Sequence, residues 1–167
     1  MKLLVTYSSK TGNTEKVGKA IFEVMPEGTD FLPMSKVENI DAYDKIILGC
    51  WIDKGLPNEE ALKFIDTLKN KQVGYFFTLG AYPDSEHANN CYQRITDLLV
   101  KNGNTVTAKF GCQGKIDPAL TKRFMDFPKD HPHYMDEERR KRHEEAAKHP
   151  DQNDFQQAQK IFKNFLK

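Results

Sequence analysis

Two short runs, Lys45-Ile46-Ile47-Leu48-Gly49 and Val73-Gly74-Tyr75-Phe76-Phe77, are apolar at nearly every position. They are short and rich in β-branched or aromatic residues, which predicts strands rather than helices. A strand with one wet face alternates apolar and polar residues. A near-continuous run predicts that both faces are covered, as in a parallel sheet. Lys2–Tyr7, Thr29–Pro33 and Thr105–Cys112 read as three further strands, with limits Lys45–Cys50 and Gln72–Leu79 for the first two. Pro33 lacks the N–H that a central strand needs, so the run that contains it is expected at a sheet edge.

Apolar residues at helical spacing fall between these runs. Val17, Ala20, Ile21 and Val24 form one stripe, and Ala61, Phe64, Ile65 and Leu68 a second. Cys91, Ile95, Leu98 and Leu99 form a third, and Phe155, Ala158, Phe162 and Phe165 a fourth after Pro150. Each stripe can cover a sheet face. Strand–helix alternation predicts an α/β domain with a doubly wound, five-stranded parallel sheet. At 167 residues the chain is expected to be one domain over 1–167.

The alternation stops after the fifth strand. Pro118–Met125 reads as a short helix, and residues 128–150 form a charged excursion before the last helix. That stretch holds six Lys/Arg, six Asp/Glu and four of the five histidines. A helix is expected from the N-cap Asp136, with Glu138–Arg142 and Arg140–Glu144 as ion pairs one turn apart. Its all-round polarity suggests a solvated surface element or a docking element for a partner. The histidine spacing fits no standard ligand set, so no metal is expected.

Charge excludes several function classes. Twenty-five Lys/Arg against 24 Asp/Glu leave a net charge of +1, which argues against nucleic acid as a partner. No apolar run is long enough for a membrane span. The opening MKLLVTYSSKTGNT does not read as a leader. Three cysteines without a CxxC spacing suggest buried thiols and a reducing, cytoplasmic setting.

The chemistry is concentrated between the first strand and the first helix, at Ser8-Ser9-Lys10-Thr11-Gly12-Asn13-Thr14. Helix-start N–H groups point outward, and the dipole there favours an anion. Ser9, Thr11 and Thr14 add hydroxyl donors, Asn13 adds an amide, and Gly12 lets the backbone wrap a ligand closely. The same residues would also serve an ordinary helix cap. Other anion loops fail on their residues. There is no GxxxxGK[ST], and the loop has a single glycine where a dinucleotide fingerprint needs GxGxxG. No cysteine is followed by the arginine of a phosphatase loop; Leu56, Asp97 and Pro118 stand there instead.

With its aromatic Tyr7 and the pattern Ser9-x-Thr11-Gly12-x-Thr14 before an amphipathic helix, the chain resembles the flavodoxin-like family. It departs at Gly18, where that family usually has alanine. Within the family it is similar to small flavodoxin-domain proteins of anaerobic bacteria, which share WxDKG, a TLGAYPDSEHA-like loop, CQGKID and AAKHP. The resemblance implies strand order 2-1-3-4-5 and FMN as cofactor, with Ser9, Thr11, Asn13 and Thr14 at its phosphate and Lys10 and Gly12 in the same loop. It implies that Trp51, Ile52, Asp53, Lys54 and Gly55 line the flavin from one side. Gly80, Ala81, Tyr82 and Ser85 line it from the other, with Trp51 and Tyr82 as the covering aromatics. Gln113, at the end of the fifth strand, would reach the flavin pyrimidine or cap a turn. Trp51 and Tyr82 would otherwise be rim aromatics.

No acid/base set for a substrate pocket and no nicotinamide motif is visible, so no catalytic side chain is expected. The resulting expectation is an FMN-binding electron-transfer protein that serves a redox partner protein. The alternative is an FMN-dependent NAD(P)H:quinone-type oxidoreductase. The near-neutral charge counts toward the alternative, because electron-carrying flavodoxins are typically acidic.

Overall fold

The computed structural model describes residues 1–166. A parallel sheet runs in the order β2 (Asp30–Pro33), β1 (Leu3–Tyr7), β3 (Lys45–Asp53), β5 (Gln72–Leu79), β6 (Thr105–Gln113). Counting only these parallel strands, this is the expected 2-1-3-4-5 order. Pro33 lies opposite Tyr7 on the edge strand, as its missing N–H requires.

One strand corrects the five-strand expectation. β3 continues past Cys50 to Asp53 and turns back into a two-residue strand, β4 (Leu56–Pro57). Asp53 pairs with Leu56 and Ile52 with Pro57, so Lys54 and Gly55 make a two-residue hairpin turn. Both turn residues have positive φ, 50° and 81°. That matches the turn type whose twist suits a tight hairpin. The stretch expected as a loop is therefore a strand end and a turn.

Helices cover both faces. α2 (Glu59–Thr67) and α3 (Glu86–Lys101) pack Phe64, Ile65, Cys91 and Ile95 against Leu4, Ile46, Leu48, Tyr75 and Phe77. α1 (Asn13–Phe22) and α6 (Gln152–Phe165) pack Val17, Ile21, Ala158 and Phe162 against Val5, Ile47, Phe76 and Phe110. Tyr75, Phe76 and Phe77 thus serve alternate faces, and both faces are apolar. Val24 lies beyond the end of α1, so that stripe is one residue shorter than expected. Gly18 has a packing reason: a Cβ there would lie 3.2 Å from the Phe76 ring and 3.3 Å from that of Phe31.

Two more helices, α4 (Pro118–Met125) and α5 (Glu137–Ala146), lie between β6 and α6. Asp136 caps α5 through its carboxylate, which accepts from the Arg139 N–H at 2.7 Å. Among the described residues the expected pairs Glu138–Arg142 and Arg140–Glu144 do not form; Glu137–Lys141 (3.1 Å) and Glu145–Lys148 (2.8 Å) do. Nor is α5 free in solvent, since Ala146 and His143 are buried and His143 Nδ1 bonds the Thr121 hydroxyl at 2.9 Å. No helix among the described residues is long and apolar enough to cross a membrane.

The start of α6 contains an ion-pair cluster. His149 Nδ1 lies 2.6 Å from Asp154, whose carboxylate also accepts from the Asp151 N–H in a capping box. Glu145 and Asp151 approach the same imidazole at 3.4 and 3.9 Å. Burial works against the imidazolium, but the bond and charge of Asp154, with Glu145 and Asp151, outweigh it and raise the His149 pKa. A raised folded pKa adds stability that is complete below the unfolded value of about 6.5 and is lost as pH rises through the folded value. Thermal melts should therefore show wild type losing its advantage over His149→Gln as pH is raised above about 6.5. A constant gap across pH would remove the ion pair as its source.

Candidate functional site

The loops after β1, β3, β5 and β6 all emerge at the carboxyl end of the sheet. Connections from β1 and β3 diverge there, and a crevice is the expected result. A cleft of about 720 Å³ occupies that position.

Ser9, Lys10, Thr11, Asn13 and Thr14 line its base. Gly12 is the N-cap of α1 with φ 96°, and supplies no side-chain cap. Its own N–H donates to Ser9 Oγ at 3.1 Å, and its carbonyl takes the first helical bond, from Lys16. By helix geometry the N–H groups of Asn13, Thr14 and Glu15 have no acceptor within α1. Thr14 is 1% exposed, and its hydroxyl meets that of Thr78 at 2.9 Å. The Asn13 amide nitrogen donates to the Lys115 carbonyl at 2.9 Å and so ties this loop to the one after β6. Ser8 faces away, bonded to Glu60 and Asn58 under the start of α2. An uncapped helix start ringed by neutral hydroxyls, with Lys10 alongside, suits a phosphate.

The walls are aromatic and mixed in charge. Trp51, Ile52, Asp53 and Lys54 line one side, and Gly80, Ala81, Tyr82 and Ser85 another. The Lys10 ammonium lies 5.7 Å from the Trp51 ring centre. Ser85 caps α3, accepting from the Ala88 N–H at 3.2 Å, and its hydroxyl donates to the Tyr82 carbonyl at 2.6 Å. That fixes the bend that presents Tyr82.

Three of the expected residues do not line the cleft. Gly12 shapes the helix start. Gly55 lies in the hairpin turn, where its carbonyl accepts from Arg94 at 3.0 Å. Gln113 is buried and donates to the Gly80 carbonyl at 3.2 Å, bracing the loop after β5.

The largest departure from the sequence reading is the fourth wall. Leu120 and Phe124 of α4, His133, and Glu138, Arg139, Arg142 and His143 of α5 line the same cleft. Phe124 and His133 stack at 5.3 Å with planes 8° apart, and the Arg139 guanidinium lies 5.4 Å from the Phe124 ring centre. The signal in the sequence was the position of these residues, directly after a strand whose carboxyl end faces the crevice. Around the cleft, Lys10, Lys54, Lys115, Arg139 and Arg142 outnumber Asp53, Asp117 and Glu138. His143 is held below its ordinary pKa, first by burial and then by Arg142 and Arg139.

The three cysteines are buried, and burial raises the pKa of each thiol, most at Cys50 and Cys112. They are packing residues and poor thiolate nucleophiles.

The family model described as a flavodoxin domain matches residues 4–163, and the chain belongs to that family. The flavodoxin-like domain-containing protein BilS of Clostridioides difficile (strain CD3) is 30% identical over 173 residues, covering 99% of this chain and 97% of that protein. Oxidised flavodoxin 1 from Bacillus cereus shares the fold with a TM-score of 0.63 at 16% identity, over 99% of this chain and 97% of that one. A flavoprotein from Lactobacillus acidophilus NCFM, solved in complex with FMN, does so with a TM-score of 0.53 at 17% identity, over 73% of this chain and 97% of that one.

Proposed function

We propose that this chain binds FMN in the cleft and passes electrons through it to a redox partner. The observation that carries the reading is that one cleft has the hydroxyl-ringed start of α1 at its base and Trp51 and Tyr82 on its walls. A phosphate at one end and a flat aromatic ring at the other match that arrangement. The flavodoxin domain and the FMN held by the L. acidophilus flavoprotein point the same way. When bound, FMN supplies one- and two-electron chemistry that no protein side chain offers. The chain's own residues hold and tune it. The α1 amides and the hydroxyls of Ser9, Thr11 and Thr14 receive the phosphate, Trp51 and Tyr82 cover the ring, and Lys10 and Lys54 set the local charge. The buried free thiols fit a reducing cytoplasm.

A second reading, a reductase of small acceptors fed by NAD(P)H, is favoured by the α4–α5 wall, which gives the cleft room beyond a bare protein-docking edge. Steady-state NAD(P)H oxidation with a quinone separates the two readings.

Trp51 is the only tryptophan, so its emission reports on the site directly. FMN titration should quench it. Trp51→Ala should weaken FMN by about 0.5–1.5 kcal/mol beyond lost area while the fold survives. Unchanged affinity in a folded variant would remove Trp51 from the flavin site.

A further inference from the structure

The guanidinium groups on the α5 wall carry charge that no ion pair among the described residues neutralises. Arg139 Nη1 is buried without an acceptor, and Nη2 reaches only the Pro132 carbonyl at 3.4 Å. Neither Arg139 nor Arg142 has a carboxylate partner among the described residues, although Glu138 lies on the same wall. A guanidinium without a carboxylate partner on the wall of an open cleft gains charge-assisted hydrogen bonds when a ligand brings that carboxylate. The wall is also built rather than loose. Asp136 caps α5 through the Arg139 N–H, Thr121 bonds His143, and Phe124 stacks on His133.

We propose that this wall is a subsite for the carboxylate of a small aromatic acid, received by Arg139 and Arg142, with its ring against Phe124 and His133. The guanidinium fork matches the two oxygens of a carboxylate. Both arginines line the cleft beside Phe124 and His133, so a small molecule inside it meets charge and ring together. The phosphate loop is a separate place, on α1 and with its own donors. His143, kept below its ordinary pKa by burial and by the two arginines, leaves the positive charge of this wall to them.

The proposal deepens the flavin reading, since it names the acceptor class that the cleft would set beside FMN. Binding of the acid does not itself require the flavin, so the two can fail separately. The experiment uses 2-naphthoate and its neutral isostere 2-naphthamide, titrated calorimetrically into the full chain with and without FMN. Naphthoate should bind at least about tenfold more tightly, with the preference shrinking as salt is added. Arg139→Gln and Arg142→Gln should each remove about tenfold of naphthoate affinity. Naphthamide affinity and FMN affinity should stay as in wild type. Melting temperature identifies a variant that fails to fold, and the other arginine then carries the test. Equal affinity for the acid and the amide overturns the subsite, as does a preference that survives in both folded variants. A loss of FMN affinity in Arg139→Gln also overturns it, by assigning the guanidinium to the flavin. No FMN uptake with the acid preference intact supports the subsite and removes the flavin reading alone.

Discussion

Phe76→Ala should destabilise the protein by about 3–5 kcal/mol, the range for removing a buried aromatic ring. Phe76 is fully buried at the centre of the sheet. Its ring occupies space left by two glycines: a Cβ at Gly49 would fall 2.1 Å from the ring and one at Gly18 3.2 Å. The ring also meets Phe162 edge-to-face at 6.2 Å and 79°. Glycines have no side chain to relax into the hole, so the cavity should stay largely open, which places the cost high in its range. The same contact makes Gly49→Ala destabilising, because the new methyl meets a rigid ring held by β5. In the Phe76→Ala background that clash is gone, and Gly49→Ala should be close to neutral. Urea melts of the four proteins measure the coupling. Additive losses would show that Gly49 is small for another reason. A loss below about 1 kcal/mol for Phe76→Ala would mean that the face repacks.

That contact also separates what the sequence discloses from what it does not. Val73–Phe77 announces a strand covered on both faces, because composition and length suffice for that inference. The identity of the neighbour over Phe76 does not follow, since Gly49 and Gly18 are distant in the chain. The polar start of α1 was legible as one feature because Ser9, Thr11, Asn13 and Thr14 lie within one segment, and the structure places all four at the base of one cleft. The partner of Thr14, Thr78, was not, because the pairing depends on the start of α1 lying across β3 to meet the end of β5, two strands from β1. β4 is two residues long, and no periodicity can mark so short a strand. The α4–α5 wall was hidden for a different reason. Six cations and six carboxylates within residues 128–150 read as a solvated helix when judged by that helix alone. Only the folded chain brings Arg139 and Phe124 to a cleft whose base belongs to α1.

FMN should bind at least about a hundredfold more tightly than riboflavin, which differs only by the phosphate. Charge-assisted hydrogen bonds contribute ~1.5–3 kcal/mol each. Two of them already exceed the roughly 2.7 kcal/mol that a hundredfold requires. The base of the cleft offers more than two donors: the free amides at the α1 start and the hydroxyls of Ser9, Thr11 and Thr14. Asn13 is the exception, because its amide nitrogen is engaged by the Lys115 carbonyl. Thr14 is the most protected, at 1% exposure, and water should compete least there. Thr14→Ala should therefore cost FMN about 1.5–3 kcal/mol and riboflavin almost nothing. Thr14→Ser keeps the hydroxyl and should recover most of the loss. Parallel fluorescence titrations of both flavins against the three proteins give all six affinities. Indistinguishable riboflavin and FMN affinities in wild type would sink the phosphate assignment. A Thr14→Ala loss shared equally by both flavins would mean that the Thr14–Thr78 pair shapes the cleft and leaves the phosphate to the backbone.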